Sequence, residues 1–181
     1  MPASHRCRSG ESPVANHRLA GDTMGRMRPE EDIALSTLLA LLRIYRDSAE
    51  GYATAARDLP DLEVRRELEP YRKELLRLVK ECAKRIRVLR GDPDDAPATA
   101  AGGVHRTWMD LRSATAANPT AALLTEMERG EDIAVDAIKA ALRTDGIDPA
   151  THALLQTHYE KIQAAHDRVK QLRDRATLAR T

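Results

Sequence analysis

Two glutamates occupy matching places in a short internal repeat. The segment 49–56, Ala-Glu-Gly-Tyr-Ala-Thr-Ala-Ala, is echoed by the segment 130–137, Gly-Glu-Asp-Ile-Ala-Val-Asp-Ala. In each copy a small residue precedes the glutamate, Glu50 or Glu131, and an alanine-containing helical stretch follows. Inward glutamates on related helical hairpins are how some four-helix bundles hold a pair of metal ions. We therefore expect Glu50 and Glu131 to lean inward at equivalent positions.

A complete di-iron set needs more than these two carboxylates. It adds a Glu-x-x-His motif on each of the other two helices, because residues i and i+3 share a helix face. The last helix offers Gln163-Ala-Ala-His166, and no histidine lies between residues 18 and 104. Since an amide is a poor bridging ligand, we expect no di-iron pair. The metal set that the sequence predicts, Glu50, Glu131 and His166, suits one weakly held ion.

The alternative is that the two glutamates are structural. A buried carboxylate must be paired, hydrogen-bonded or protonated. The sequence offers as partners Arg46, Tyr52, Tyr71, His158, Tyr159 and His166. We expect a polar cluster of this kind, which fixes the register of the helices, rather than a metal site with a bound cofactor. His158 itself lies on an apolar seam and is expected to be a satisfied core histidine.

Nucleophilic catalysis has no support in the sequence, and we predict no catalytic residues. Cys7 lies in the N-terminal tail, and Cys82 lies on an apolar helix face, where a cysteine acts as a small hydrophobe. His105 and Trp108 lie one turn apart on a short predicted helix and are expected to cap one end of the fold.

Apolar residues recur at spacings of three and four along four segments, as in amphipathic helices. The helices are expected over about 29–57, 61–90, 119–143 and from 149 onwards. Pro70 should bend or interrupt the second helix, because proline removes a backbone hydrogen bond. The residues expected to be buried along these seams are Leu42, Tyr45, Leu75, Leu78, Met127, Ile138, Ile162 and Val169.

The connections within each helix pair are short, and the one between the pairs is long. It comprises a Gly, Pro and Asp-rich loop over 91–103 and the short extra helix over 104–114. The sequence therefore predicts an all-α, ferritin-like four-helix bundle of two helical hairpins joined by a long crossover. The predicted domains are a disordered tail over 1–28, the bundle over 29–177 and a C-terminal tail over 178–181. Translation from Met24 or Met27 would shorten the N-terminal tail.

Composition agrees with an all-α class. Aromatic residues make up 3% of the chain, phenylalanine is absent, and charged residues make up 31%. The two cysteines imply no disulfide framework, so a reducing cytoplasm is expected. The longest apolar stretch, Ile33 to Tyr45, is too short to cross a membrane.

Several phrases of the sequence resemble a known family. They are Arg46-Asp-Ser-Ala-Glu-Gly-Tyr52, Leu89-Arg-Gly-Asp-Pro93, His105-Arg-Thr-Trp-Met-Asp-Leu111, Glu128-Arg-Gly-Glu-Asp132 and His166-Asp-Arg-Val169. In this order they resemble an uncharacterised bacterial family of ferritin-like four-helix-bundle proteins, classed as a domain of unknown function, over about residues 31–174. The resemblance implies a ferritin-like fold and no established activity. Pro70 and the N-terminal extension depart from the family's pattern.

Charge is distributed unevenly, although the formal net charge is +1. Between Arg72 and Arg90 there are eight Lys or Arg, and between Glu126 and Asp136 there are five acids. Either these two helices lie side by side and neutralise each other, or the surface is self-complementary and favours a homodimer. Tail arginines could contact nucleic acid, but we expect a disordered leader and no such partner.

These observations favour a non-enzymatic, cytoplasmic bundle protein with a stress-related or scaffold role, acting as a homodimer. The first alternative is a metal-binding protein with a degenerate ferritin-like site at Glu50, Glu131 and His166. The second alternative is association with nucleic acid through the basic tail.

Overall fold

The computed structural model of the protein describes residues 28–96 and 118–179. Within these ranges there are four long helices and no strand. They are α1 (Pro29–Asp58), α2 (Leu62–Val88), α3 (Pro119–Leu142) and α4 (Pro149–Leu178), with a short 3-10 helix at Pro93–Asp95. The all-helical prediction is confirmed. The predicted short helix over 104–114, with His105 and Trp108, lies outside the described residues, as does the tail before residue 28.

Side-chain caps fix where the helices begin. The Asp61 carboxylate accepts hydrogen bonds from two backbone amides at the start of α2. Asp148 does the same for α4, and the Asn118 side chain accepts from one backbone amide, that of Ala121, at the start of α3. Each of these two caps is followed by a proline at the first helical position. Proline suits that position because its missing N–H would have no helical partner there.

The helices pack as two antiparallel hairpins. α1 contacts α2 and α3, and α4 contacts α3 and α2, so α2 and α3 occupy opposite corners. Near the start of α1, Leu35 lies beside Gly91, which follows α2, and Ile33 lies beside Gly146, which follows α3. At the other end, Glu67 of α2 pairs with Arg175 of α4. Every neighbouring pair is therefore antiparallel.

This topology separates the two ends of the connection between the hairpins. α2 ends where α1 begins, whereas Asn118, at the start of α3, donates a hydrogen bond to the carbonyl of Ala176 near the end of α4. The chain therefore leaves one end of the bundle after Ala96 and returns at the opposite end at Asn118. A long crossover was predicted for this connection.

The core follows the predicted seams. All eight residues that were expected to be buried are buried, with Leu42, Tyr45, Ile138 and Val169 fully enclosed. Burial of the apolar seams from all four helices is the main source of stability in such a bundle. Among the described helices, none combines the length and the apolar character needed to span a membrane.

The predicted interruption of the second helix is wrong. α2 runs unbroken from Leu62 to Val88 with Pro70 inside it. Pro70 and Arg66 are both exposed, so water can hydrate the Arg66 carbonyl that proline leaves without a donor. A bend at this place stays a prediction.

The prediction that the charges of the second and third helices neutralise each other is also wrong, because α2 and α3 are not neighbours. Two half-buried acids of α2 pair with α4 instead: Glu67 with Arg168 and Arg175, and Glu74 with Lys161.

Candidate functional site

Glu131 lies in the middle of α3 and is buried, as the sequence predicted. It borders a small cavity to which all four helices contribute. The polar residues around that cavity are Tyr52 from α1, Tyr71 and Glu74 from α2, Glu131 from α3 and Lys161 from α4. Its apolar walls are Leu75, Leu78, Ile162 and Ala165. We call this set of residues the Glu131 cavity.

Burial controls the protonation of Glu131. It raises the pKa of the carboxyl to about 7, and the nearby Tyr52 hydroxyl and the charge of His166 limit that rise. Burial also raises the pKa of Tyr52 well above its ordinary value, so the phenol stays neutral. The carboxyl can therefore exchange a proton near neutral pH while the phenol next to it cannot.

The Tyr52 hydroxyl is a buried polar group that lacks a hydrogen-bond partner among the described residues. It comes close enough to Glu131 to affect the pKa of the carboxyl, but the two groups lack the geometry of a direct hydrogen bond. The cavity has a volume of about 10 Å³, which is room for about one ordered water molecule. Its size suits a bridging water and excludes an organic substrate.

Glu50 does not share this cavity. It is exposed on α1, so the expectation that both glutamates lean inward is correct for Glu131 and wrong for Glu50. The inward positions on this part of α1 are taken by Ala49, which packs against the core, and by Tyr52. The inward position on α1 that corresponds to Glu131 is therefore Ala49, one residue before Glu50. One residue corresponds to a rotation of about 100° around a helix.

His166 is half-buried on α4, and carboxylates engage both of its ring nitrogens. Nε2 lies 3.0 Å from Oδ1 of Asp132 on α3, and Nδ1 lies 3.0 Å from Oδ1 of Asp167. Gln163, one turn earlier, donates to the same Asp167 oxygen at 2.9 Å. Both ring nitrogens therefore already face carboxylates, and a metal ion would have to displace Asp132 or Asp167 to bind His166.

A second buried cluster, which we call the His158 cluster, lies nearer the start of α4. His158 is fully buried. Its Nε2 lies 3.2 Å from Oε2 of Glu81 on α2, and its Nδ1 lies 3.4 Å from the Tyr45 hydroxyl on α1. Burial lowers the pKa of His158, while Glu81 opposes the shift. The prediction of a satisfied core histidine is confirmed.

Sequence reasoning missed Glu81 as the partner of His158. The signal was present but incomplete: Tyr45 and His158 are polar members of two apolar seams, and each needs a partner when buried. What periodicity could not provide was the pairing of α2 with α4, on which the contact between Glu81 and His158 depends.

The donor geometry does not fit a di-iron pair. Within residues 28–96 and 118–179, no three His, Cys, Asp or Glu side chains are grouped so that they could hold a metal ion. Glu131 and Glu74 border the cavity with a cationic lysine and two tyrosines, and Glu50 lies on the surface. Binding of one weakly held ion at Glu131 and His166 stays a prediction.

Comparison with known proteins adds one finding. The model of a family described as a domain of unknown function, DUF2383, matches residues 34–144, which is more than half of the chain and includes most of α1, all of α2 and all of α3. No curated protein matches the sequence.

Proposed function

The chain belongs to the DUF2383 family, whose function is unknown, so its role has to be inferred from its own residues. We propose that it is a non-enzymatic, ferritin-like bundle protein with a scaffold or stress-related role. Membership of such a family was the expectation from the sequence, and it is confirmed. The ferritin-like assignment is supported by the topology of two antiparallel hairpins whose connection leaves and returns at opposite ends of the bundle.

The observation that carries the proposal is the composition of the bundle interior. In di-iron bundles, inward carboxylates of all four helices and two histidines surround the metal pair. Here Tyr52 and Ala49 take the inward positions on α1, and the cation of Lys161 lies at the Glu131 cavity. In the His158 cluster, Glu81 and Tyr45 contact the two ring nitrogens of His158, as expected of a polar cluster that fixes helix register.

The proposal includes a cytoplasmic location and a homodimer. The location rests on cysteine usage: Cys82 is a free, buried thiol, and burial raises its pKa to about 12, so it is an inert core residue. The dimer rests on the opposite net charge of α1, which has six acids against three Lys or Arg, and α2, which has nine Lys or Arg against five acids. Light scattering of the full chain across a concentration series tests it, and a mass of one chain at all concentrations would exclude it.

One observation favours the second candidate, a degenerate metal site. A buried carboxyl with a pKa near 7 lies close enough to His166 for the histidine's charge to affect it. The two groups could hold one ion if His166 released Asp132 or Asp167. This candidate keeps Glu131 and His166 from the predicted metal set and leaves Glu50 out, because Glu50 is on the surface.

Metal analysis with a matched pair of variants separates the two candidates. The full chain, Glu131→Gln and Glu50→Gln are purified without chelators, and their metal content and melting temperature with added divalent ions are compared. The structural proposal expects sub-stoichiometric metal, and it expects the two variants to agree in metal content and in the change of melting temperature that the added ions cause. One equivalent of a divalent ion per chain, or two equivalents of iron, lost in Glu131→Gln and kept in Glu50→Gln, would replace the structural proposal with a metal-binding one. Association with nucleic acid through the tail concerns residues outside the described ranges and stays a prediction.

A further inference from the structure

The exposed face of α2 carries a line of cations. Each member is exposed to solvent, and successive members are separated by seven, four, three, four and three residues, which keeps them on one side of the helix. They are Arg66, Lys73, Arg77, Lys80, Lys84 and Arg87. We call this line the α2 stripe.

The acids of α2 do not neutralise the whole stripe. Glu69 pairs with Lys73, and Glu74 and Glu81 pair with Arg77. The other four cations of the stripe form no ion pair with any described residue. They are Arg66, Lys80, Lys84 and Arg87.

The small net charge of the chain hides this asymmetry. α2 has nine Lys or Arg against five acids, whereas the other three helices together have ten Lys or Arg against fourteen acids. A helix of this sign within an otherwise acidic bundle concentrates positive potential along one edge of the molecule.

We propose that the α2 stripe binds the phosphate backbone of a nucleic-acid duplex. From Arg66 to Arg87 the stripe extends about 32 Å at 1.5 Å per residue, which is close to one turn of B-form DNA, about 34 Å. From Lys73 onwards its members follow one another at roughly one helical turn of α2, and Arg66 lies two turns before Lys73. A duplex presents one phosphate charge per about 1.7 Å of its axis. Each free cation can therefore reach a phosphate without a change in the helix.

Two features of α2 argue against a single strand and against a membrane as the partner of the stripe. The stripe contains no aromatic side chain on which the bases of a single strand could stack. The apolar face of α2 is in the core, at Leu68, Leu78 and Ile86, so it cannot insert into a membrane.

A second copy of the chain offers no matching acidic face on α3. Glu128 and Glu131 are buried, and Asp132 contacts His166. Of the acids in the 126–136 run, Asp136 is exposed and makes no ion pair within the described residues.

The test uses the full chain and a fluorescent 30-base-pair DNA duplex, with anisotropy measured at 50, 100 and 200 mM salt. Four phosphate contacts predict a slope of log affinity against log salt of about −3.6, or roughly a 150-fold loss over this range. The stripe triple variant Lys80→Gln, Lys84→Gln and Arg87→Gln should reduce that slope to about −1. Glutamine is a good helix former, so circular dichroism should show an intact bundle.

Two further variants assign the binding to the stripe. A control triple, Arg57→Gln, Arg143→Gln and Lys170→Gln, removes three exposed cations from other faces and should leave the slope unchanged. A tail variant, with Arg6, Arg8, Arg18 and Arg26 replaced by Gln, should keep most of the binding. Loss in the stripe triple alone supports the proposal.

Three results would overturn it. One is binding of the stripe triple with the wild-type slope. Another is loss in the tail variant but not in the stripe triple, which would assign nucleic-acid binding to the tail. The third is tighter binding to phosphatidylserine vesicles than to the duplex, abolished by the stripe triple, which would make the partner a membrane surface.

Discussion

The imidazole of His158 and the hydroxyl of Tyr45 meet across the diagonal of the bundle, with Nδ1 and Oη 3.4 Å apart. The two residues belong to different hairpins, on α4 and α1. Glu81 on α2 can only accept at the other ring nitrogen, so Nε2 carries the proton and Nδ1 accepts from Tyr45. This chain of contacts makes the match between the hairpins specific, because a shift of either helix leaves buried polar groups without partners.

Tyr45→Phe should lower the free energy of unfolding by about 1–2 kcal/mol, because it leaves Nδ1 of His158 buried without a donor. Urea denaturation at pH 7 measures the loss. Tyr159→Phe is the matched control: Tyr159 is half-buried on α4 and its ring faces Lys139, a contact that phenylalanine keeps. Equal losses in the two variants would contradict a role for the hydrogen bond between Tyr45 and His158.

Leu42→Ala or Ile162→Ala should cost about 2–5 kcal/mol of stability, since each removes a buried side chain and leaves a cavity. Ile133→Ala should cost almost nothing, because Ile133 is 59% exposed and alanine has the better helix propensity. Chemical denaturation of the three variants compares them. Losses near zero for both core variants would show that the packing of the seams is wrong.

Glu131 should make the stability of the protein fall as the pH rises. Its pKa is about 7 when folded and about 4.3 when unfolded, so between these values the folded state binds more protons and loses stability with increasing pH. Glu131→Gln removes this dependence. The variant should match the wild type near pH 4.5 and exceed it by on the order of 2–3 kcal/mol at pH 8.

Glu50→Gln provides the control for that titration, since Glu50 is exposed. Its difference from the wild type should be small at every pH. Denaturation curves of the three proteins from pH 4.5 to 8 test both statements. A constant difference between Glu131→Gln and the wild type over this range would mean that the Glu131 carboxyl is not desolvated.

Asp148 links the two hairpins at one end of the bundle while it caps α4. It accepts a hydrogen bond from Arg85 of α2 at 2.6 Å and another from the Thr151 hydroxyl at 2.5 Å. Burial raises the pKa of Asp148, but the hydrogen bonds of Thr151 and the charge of Arg85 outweigh it, so the net shift is downward. A lowered pKa stabilises the fold above the unfolded value near 3.9 and loses that effect as the pH falls through the folded value.

Asp148→Ala should therefore cost about 2–3 kcal/mol at pH 7, because both the cap and the partner of Arg85 are lost. Asp148→Asn keeps the capping oxygen and should cost less. Thermal unfolding of both variants at pH 7 and pH 3 measures this, and the cost of Asp148→Asn should shrink at pH 3. A cost of Asp148→Asn that is the same at both pH values would contradict the ion pair.

The burial pattern of this fold could be predicted from the sequence, whereas the polar geometry could be predicted only in part. Apolar residues spaced by three and four identify the inward face directly, which is why Leu42, Ile138 and Val169 were placed correctly. The repeat that aligned Glu50 with Glu131 is a likeness of residue types. The seams align Ala49 with Glu131 instead, and one residue turns a side chain by about 100°.

The remaining differences arise from contacts between elements. The partnership of Glu81 with His158 requires knowing that α2 lies beside α4, which helix periodicity does not contain. A proline within a helix is expected to interrupt it because it leaves one backbone carbonyl unpaired. Pro70 lies on the exposed side of α2, where water can hydrate that carbonyl.

The diagonal placement of α1 and α4 also sets the geometry of anything attached to the chain. Both helices run in the same direction, so Arg28 and Ala179 lie at opposite ends of the bundle. α4 alone has 30 residues, which is about 45 Å of helix. Domains or labels joined to the start of α1 and to the end of α4 would therefore be separated by about the length of the bundle. The bundle can therefore serve as a molecular ruler in a fusion protein, and a circular permutant of it would need a long linker.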